Sequence, residues 1–205
     1  TDISHELRTP LTLITSPVGE VLEHEPLTPS ARKLLTVVHN NTERMLRLVN
    51  QILDFRKIEN KKMKLLLEKT DIVELLQKVM DNFRLIAEEK SINFRLQTDK
   101  ESIHCWIDQD KVEKIIFNLL SNAFKYTPVN KSITVYAHTT KDKVMISVTD
   151  EGIGIDSKKQ QSLFKRFETL VNNNFLQPPS GIVLALVKEL IELHQDYLER
   201  FSVCS

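Results

Sequence analysis

The sequence predicts an α+β protein: an N-terminal antiparallel helical hairpin that pairs into a dimeric four-helix bundle, followed by an α/β sandwich. Three observations carry this. Apolar residues recur at three- and four-residue steps up to residue 58, the period of a helix. A basic, polar break, Glu59-Asn60-Lys61-Lys62, ends that pattern. Beyond it, short alternating runs intersperse with helical ones, as in helices laid on one face of a largely antiparallel sheet. The domains are accordingly placed at 1–60 and 61–205.

Residues 1 to about 25 form the first helix, with Leu7, Leu11, Ile14, Val18, Val21 and Leu22 as its apolar positions and bends expected at Pro10 and Pro17. Glu25-Pro26-Leu27-Thr28-Pro29 is a connector, in which Thr28 or Ser30 can cap the next helix. That helix, from 31 to about 58, carries Leu34, Val38, Met45, Leu48, Ile52 and Phe55 in a near-heptad stripe. Two such helices on a short connector make an antiparallel hairpin. Alone it buries too little, so pairing with a second copy is expected, packing onto the second domain being the alternative. In the second domain, strands are expected at 64–69, 93–98, 133–139, 143–149 and 197–203, and helices at 72–89, 107–124, 157–167 and 181–194. Thr140-Lys141-Asp142 reads as a hairpin turn, and a polar loop, about 168–180, reads as a lid.

Composition excludes several functions. Lys plus Arg and Asp plus Glu each number 28, so no basic field draws in nucleic acid or anionic membrane. No apolar run approaches the roughly 18 residues of a membrane-spanning helix, and no signal peptide is read at Thr1. Cys105 and Cys204 are the only cysteines, which gives neither a disulfide framework nor a Cys-x-x-Cys metal site. The chemistry is expected in a reducing cytoplasm, in a chain that reads as part of something longer.

The stretch Ile3-Ser-His-Glu-Leu-Arg-Thr-Pro-Leu11 holds the first candidate chemistry. On a helix His5 and Thr9 share a face, and Glu6 stands beside His5. A carboxylate that accepts the proton of one imidazole nitrogen leaves the other as a nucleophile. A lone histidine on a polar helix face is more often merely solvated, so the decision rests on whether a nucleotide site exists elsewhere. Asn118, Asn122, Lys125 and Tyr126 fall on one face of the helix around 107–124 and its continuation. Two amide oxygens and a lysine there can hold Mg2+ and the phosphates it bridges; a solvated surface is the plain alternative. Asp150-Glu-Gly-Ile-Gly154 ends a strand, and its glycines admit close backbone approach to a flat ligand, while Gly-x-Gly also serves ordinary turns. Leu163-Phe164-Lys165-Arg166-Phe167 then precedes the lid.

Together these motifs resemble the catalytic core of the sensor histidine kinases of two-component signalling, over nearly the whole chain. His5-Glu6-Leu7-Arg8-Thr9-Pro10 resembles the phosphoacceptor box, Asn118 through Tyr126 the asparagine box, Asp150 through Gly154 the first glycine box, and Leu163 through Phe167 the phenylalanine box. Residues 48–59 resemble the second helix of hybrid sensors. The resemblance implies an ATP-binding domain of the gyrase and Hsp90 type. It puts ATP against Asp150, Gly152 and Gly154, with Phe164, Phe167 and Gly181 contributing from the later boxes. It implies Mg2+ held by Asn122 with Asn118 assisting, and Lys125 and Tyr126 near the phosphates. The γ-phosphoryl group would pass to His5, oriented by Glu6, and on to an aspartate of a response-regulator receiver domain docked near His5 and Leu11. Thr9 matches the position that orients water for the reverse, phosphatase reaction. The parent is expected to be a homodimeric, membrane-anchored sensor with this portion in the cytoplasm.

The second glycine box departs from the family pattern. Pro179-Ser180-Gly181-Ile182-Val183 keeps one glycine of three. Pro179 removes a backbone donor and Val183 adds a branched side chain where a helix N-terminus would meet phosphate. The Gln195-Asp196-Tyr197 tail departs too. These departures motivate an alternative, a nucleotide-defective docking or phosphatase module, while a gyrase-like ATPase without a phosphoacceptor is disfavoured by His5.

Overall fold

A computed structural model of the chain describes residues 3–59, 63–140, 143–154, 180–197 and 201–204. The chain divides into two compact units, Thr1–Met63 and Lys64–Ser205.

The first unit is a pair of helices, α1 (Ile3–His24) and α2 (Pro29–Glu59). Thr28 caps α2: its Oγ1 accepts from the Ala31 amide at 3.2 Å. Arg32 Nη1 donates to the Leu22 carbonyl at 2.7 Å, satisfying an acceptor left open at the end of α1. Arg8 meets Asn50, Gly19 meets His39 and Leu22 meets Arg32, so the helices run antiparallel. Helix α1 continues through Pro10 and Pro17. Each proline lacks an N–H, so the carbonyls of Glu6 and Leu13, both on exposed residues, lose their helical donors.

The seam between the helices keeps Leu11, Val18 and Leu22 of the positions expected on α1, but on α2 it differs from the stripe expected. On α1 it is formed by Leu11, Thr15, Val18 and Leu22, and on α2 by Leu35, His39, Thr42, Leu46, Val49 and Leu53. Thr15 and Thr42 are buried there, each hydroxyl bonded to its own helix, at Leu11 O (3.0 Å) and Val38 O (2.9 Å). Of the near-heptad stripe, Leu34, Val38, Met45 and Ile52 are exposed and Leu48 is half-buried, while the side chain of Phe55 is outside the described residues; Leu7 and Ile14 of α1 are exposed too. Periodicity located an apolar face without showing that a second, Thr-containing face makes the seam.

In the second unit the order is β1 (Glu68–Asp71), α3 (Ile72–Asp81), α4 (Arg84–Glu89), β2 (Asn93–Thr98), β3 (His104–Ile107), α5 (Gln109–Tyr126), β4 (Ser132–Thr139), β5 (Val144–Asp150), α6 (Ser180–Tyr197) and β6 (Phe201–Cys204). β1 and β3 make a two-stranded antiparallel sheet; the other four strands form a sheet ordered β2-β4-β5-β6. Only β4–β5 is antiparallel, β2–β4 and β5–β6 being parallel. The sheet is therefore mixed, which corrects the largely antiparallel expectation. The chain returns to β4 through α5, and to β6 after α6, and such crossovers produce parallel neighbours.

Ile133, Val135 and Ala137 of β4 lie opposite Asp150, Val148 and Ile146 of β5, so the buried members share one face of the sheet. Against it lie Val112, Ile115, Ile116, Leu119, Leu120 and Phe124 of α5 with Ile72, Leu76 and Val79 of α3, all buried. Asp71 and Asp108 cap α3 and α5 by accepting from Val73 N (3.0 Å) and Lys111 N (3.2 Å).

Several elements differ from expectation: strand β3 (His104–Ile107) was not expected, and Tyr197, expected to open the last strand, instead ends α6, with β6 at Phe201–Cys204. The helix expected over 72–89 is two helices, because Asn82 turns its side-chain amide onto the Lys78 and Val79 carbonyls (3.2 and 3.1 Å). The break turns Phe83 into the core, against Phe117 and stacked on Phe124, with centroids 5.0 and 5.2 Å away. The strand expected over 64–69 begins only at Glu68, since the Leu66 amide donates to Asp108 Oδ2 (2.9 Å). Ile107, expected in a helix, ends strand β3, and α5 starts beyond its cap Asp108.

Candidate active site

The phosphoacceptor-like box lies in the first turns of α1. The side chain of His5 is outside the described residues. Glu6, Leu7, Thr9 and Pro10 are exposed, whereas Arg8 is half-buried and donates from Nε and Nη2 to Asn50 Oδ1 at 3.1 and 2.9 Å.

In the second unit, Asn118, Asn122, Lys125 and Tyr126 are half-buried along α5. The Asn122 side chain makes no hydrogen bond among the described residues, so its carboxamide is uncommitted there. Lys125 Nζ donates to the Tyr126 hydroxyl at 2.9 Å and lies 4.7 Å from that ring's centroid, so both side chains leave the helix together.

The Asp150 turn meets the end of this helix. Ile153 N donates to the Tyr126 carbonyl at 3.4 Å, and Gly152 N to Asp150 Oδ1 at 2.7 Å. A Cβ on Gly152 would fall 2.4 Å from Asp150 Oδ1 and 3.1 Å from the Tyr126 carbonyl oxygen. Gly154 has φ +71°, in the left-handed region that favours glycine, with nothing within 4 Å of its Cβ point. Asp150 is exposed, and its Oδ2 takes no hydrogen bond among the described residues. The motifs around residues 118–126 and 150–154, separate in sequence, thus come together at Tyr126 and Gly152.

Behind this junction α5 is held at its other end. Asp108 is 2% exposed, and its Oδ2 accepts from Lys111 Nζ at 2.6 Å as well as from Leu66 N. Burial acts to raise its pKa, but the hydrogen bonds from Lys111 and Leu66, with the Lys111 charge, bring it below the ordinary carboxylate value. His194 of α6 is fully buried, with Nδ1 2.8 Å from the Leu190 carbonyl. Burial lowers its pKa, against the Leu190 hydrogen bond and the Asp108 charge, which raise it.

The residues present fit a phosphate-bound Mg2+. Among the described residues no three His, Cys, Asp or Glu side chains converge on a point. Carboxamide oxygens such as those of Asn122 and Asn118 are hard, neutral ligands, suited to a magnesium ion whose remaining ligands are phosphate and water. The junction also has a glycine at which a Cβ would close the space, and an orphaned acceptor: Thr127 Oγ1 is buried without a partner among the described residues.

Phe164, Phe167 and Pro179 lie outside the described residues, as do the helix expected over 157–167 and the lid expected at about 168–180 up to Ser180, which starts α6. Gly181 and Val183 fall in the first turn of α6, their side chains undescribed. The sequence motifs give no separate role to Arg8, Asn50, Thr127, Asp108 or His194. Asp108 with Lys111 three residues on is a readable helix start. The Arg8–Asn50 pair spans 42 residues and has no local signal.

Comparison with known proteins agrees with this anatomy. Residues 1–61 match the His Kinase A (phospho-acceptor) domain, and residues 107–203 the histidine kinase-, DNA gyrase B-, and HSP90-like ATPase domain. Histidine kinase P4 of Formosa agariphila is 34% identical over 199 residues, 95% of this chain and 14% of that protein. Sensor histidine kinase WalK of Bacillus subtilis is 32% identical over 200 residues, 94% of this chain and 32% of that protein. The chain thus spans a third or less of the length of these relatives. The crystal structure of full-length ShkA in complex with AMPPNP superposes with a TM-score of 0.75 at 26% identity, over 93% of this chain and 40% of that one. With both domains matched in this order, the chain belongs to the sensor histidine kinases, whose phospho-acceptor and ATPase domains it carries.

Proposed function

We propose that this chain is the catalytic core of a protein-histidine kinase, moving the γ-phosphoryl group of ATP to His5 and then to an aspartate of a response-regulator receiver domain. The observation that carries the reading is the junction of α5 with the Asp150 turn at Tyr126 and Gly152, in a chain whose first helix carries a phospho-acceptor match. Asp150, with Oδ1 tied to Gly152 N, offers Oδ2 to the exocyclic amine of adenine. Gly152 and Gly154 let the base approach the backbone, and Phe164, Phe167 and Gly181 complete the nucleotide site. Lys125 and Tyr126 lie toward the phosphates. Asn122, assisted by Asn118, holds Mg2+, which supplies neutralisation of phosphate charge during transfer.

At the acceptor, a His5 nitrogen forms the new N–P bond as the bond to the ADP oxygen breaks. Glu6 takes the proton from the other ring nitrogen, and Thr9 orients water in the reverse reaction. Phosphohistidine then passes its phosphoryl group to a carboxylate of the regulator, docked near His5 and Leu11. A homodimer is supported by the exposed Leu13, Leu34, Val38, Met45 and Ile52 of the hairpin. No helix among the described residues is long and apolar enough to cross a membrane. In this reading the chain works in the cytoplasm as part of a membrane-anchored sensor.

Incubation with γ-labelled ATP and Mg2+ tests the reading. The chain should take up acid-labile, alkali-stable label that H5Q lacks and N122A largely loses. Equal labelling of H5Q would overturn it.

A further inference from the structure

The turn that follows His5 is one of the two in α1 that a proline interrupts. Pro10 has no N–H to give the Glu6 carbonyl, so the main-chain ladder is interrupted there. Something other than that ladder must define where the His5 turn stands against α2. Among residues 6–10 only Arg8 is drawn out of solvent. It heads the inward row that continues through Leu11, Thr15, Val18 and Leu22. On α2, Asn50 continues the facing row, one turn beyond Leu46. Arg8 Nε and Nη2 both donate to Asn50 Oδ1, at 3.1 and 2.9 Å. Two donors from one rigid plane onto one oxygen fix both the reach and the orientation of the guanidinium.

We propose that Arg8 and Asn50 form an interhelical clamp that positions His5 for phosphoryl transfer. The proposal rests on the reading of His5 as phosphoacceptor. Both are positioning residues: Asn50 acts through Arg8, and Arg8 through the helical turn it shares with His5. The clamp replaces, from the side, the axial support that Pro10 withholds, and it stands at the open end of the hairpin, opposite the Arg32–Leu22 tie at the connector. Phosphoryl transfer demands in-line alignment of nucleophile and leaving oxygen, so a small rotation of this turn acts on rate rather than on nucleotide affinity.

The test uses the full chain with R8M, N50L, the double variant R8M/N50L, and N50D, which keeps the acceptor oxygen. The expected result is a kcat for His5 phosphorylation lowered about tenfold in R8M and in N50L, with KM for ATP unchanged. The double variant should be no slower than either single, and N50D should recover most of the rate. A parallel readout needs no ATP: the His5 imidazole resonance in the 15N-histidine-labelled chain, assigned by its loss in H5Q, and its rate of phosphorylation by phosphoramidate. Both should change in N50L and return in N50D. If the unaltered chain takes a phosphoryl group neither from ATP nor from phosphoramidate, the phosphoacceptor reading fails, while the resonance still decides whether the clamp orients His5. Unchanged kcat together with an unmoved resonance in R8M and N50L overturns the clamp, and so does equal loss in N50L and N50D.

Discussion

The main-chain carbonyl of Tyr126 stands 3.1 Å from the point that a Cβ on Gly152 would occupy, and Asp150 Oδ1 stands 2.4 Å from it. Gly152→Ala must therefore displace the Asp150 carboxylate or part the turn from α5. Overpacking of this kind costs about 1–3 kcal/mol, so ATP affinity by calorimetry is expected to fall roughly tenfold or more. Gly154 sits in open space and is constrained only by its φ of +71°. Gly154→Asn, which tolerates that region, should therefore leave the melting temperature of the chain nearly that of the parent, while Gly152→Asn should lower it.

The buried His194 predicts a pH dependence of stability. Its pKa in the folded state lies below the ordinary histidine value of 6.5, chiefly through burial. The unfolded chain then holds the extra proton first as pH falls. The stability that neutral His194 contributes is full above about 6.5 and lost progressively as pH falls from there toward the folded pKa. Asp108, also lowered, acts by the same sign but only below its ordinary value of 3.8. Denaturant melts between pH 7 and 5 should show the parent losing stability and His194→Gln losing less.

The exposed stripe on α2 predicts assembly. Leu34 is 66% and Val38 43% exposed within one chain. Val38→Glu puts a charge on that face without entering the seam, where Thr42 and Leu46 lie. Light scattering should give a dimeric mass for the parent and a monomeric one for the variant at the same concentration, with the helical signal of the second unit kept. A monomeric parent would overturn the pairing.

The fold class was legible because its signals are local: the helical period of the hairpin, the polar break, and the alternation of Ile133–Val135–Ala137 against Ile146–Val148. The parallel pairings were not, since a strand's direction relative to its neighbour is set by the connection between them. That Asn118, Asn122 and Lys125 share a helix follows from spacing alone. That the helix ends against Gly152 does not, because residues 126 and 152 meet only through the crossing of α5 and β5. The Asn82 break was hidden for a similar reason: Phe83 leaves the helix to reach Phe117 and Phe124, and its partners lie far along the chain.

The mixed sheet also bears on how the chain acquires its structure. Every seam contact of the hairpin joins two helices adjacent in sequence, so it can form while the rest is still being synthesised. The sheet has no such freedom: Val144 to Ser147 of β5 pair with Phe201 to Cys204. Until that segment has left the ribosome, one side of β5 presents open amides and carbonyls to any strand that arrives. The second unit can thus complete its sheet only after Phe201–Cys204 has been made, long after both helices of the hairpin, and until then β5 stands open to the wrong neighbour.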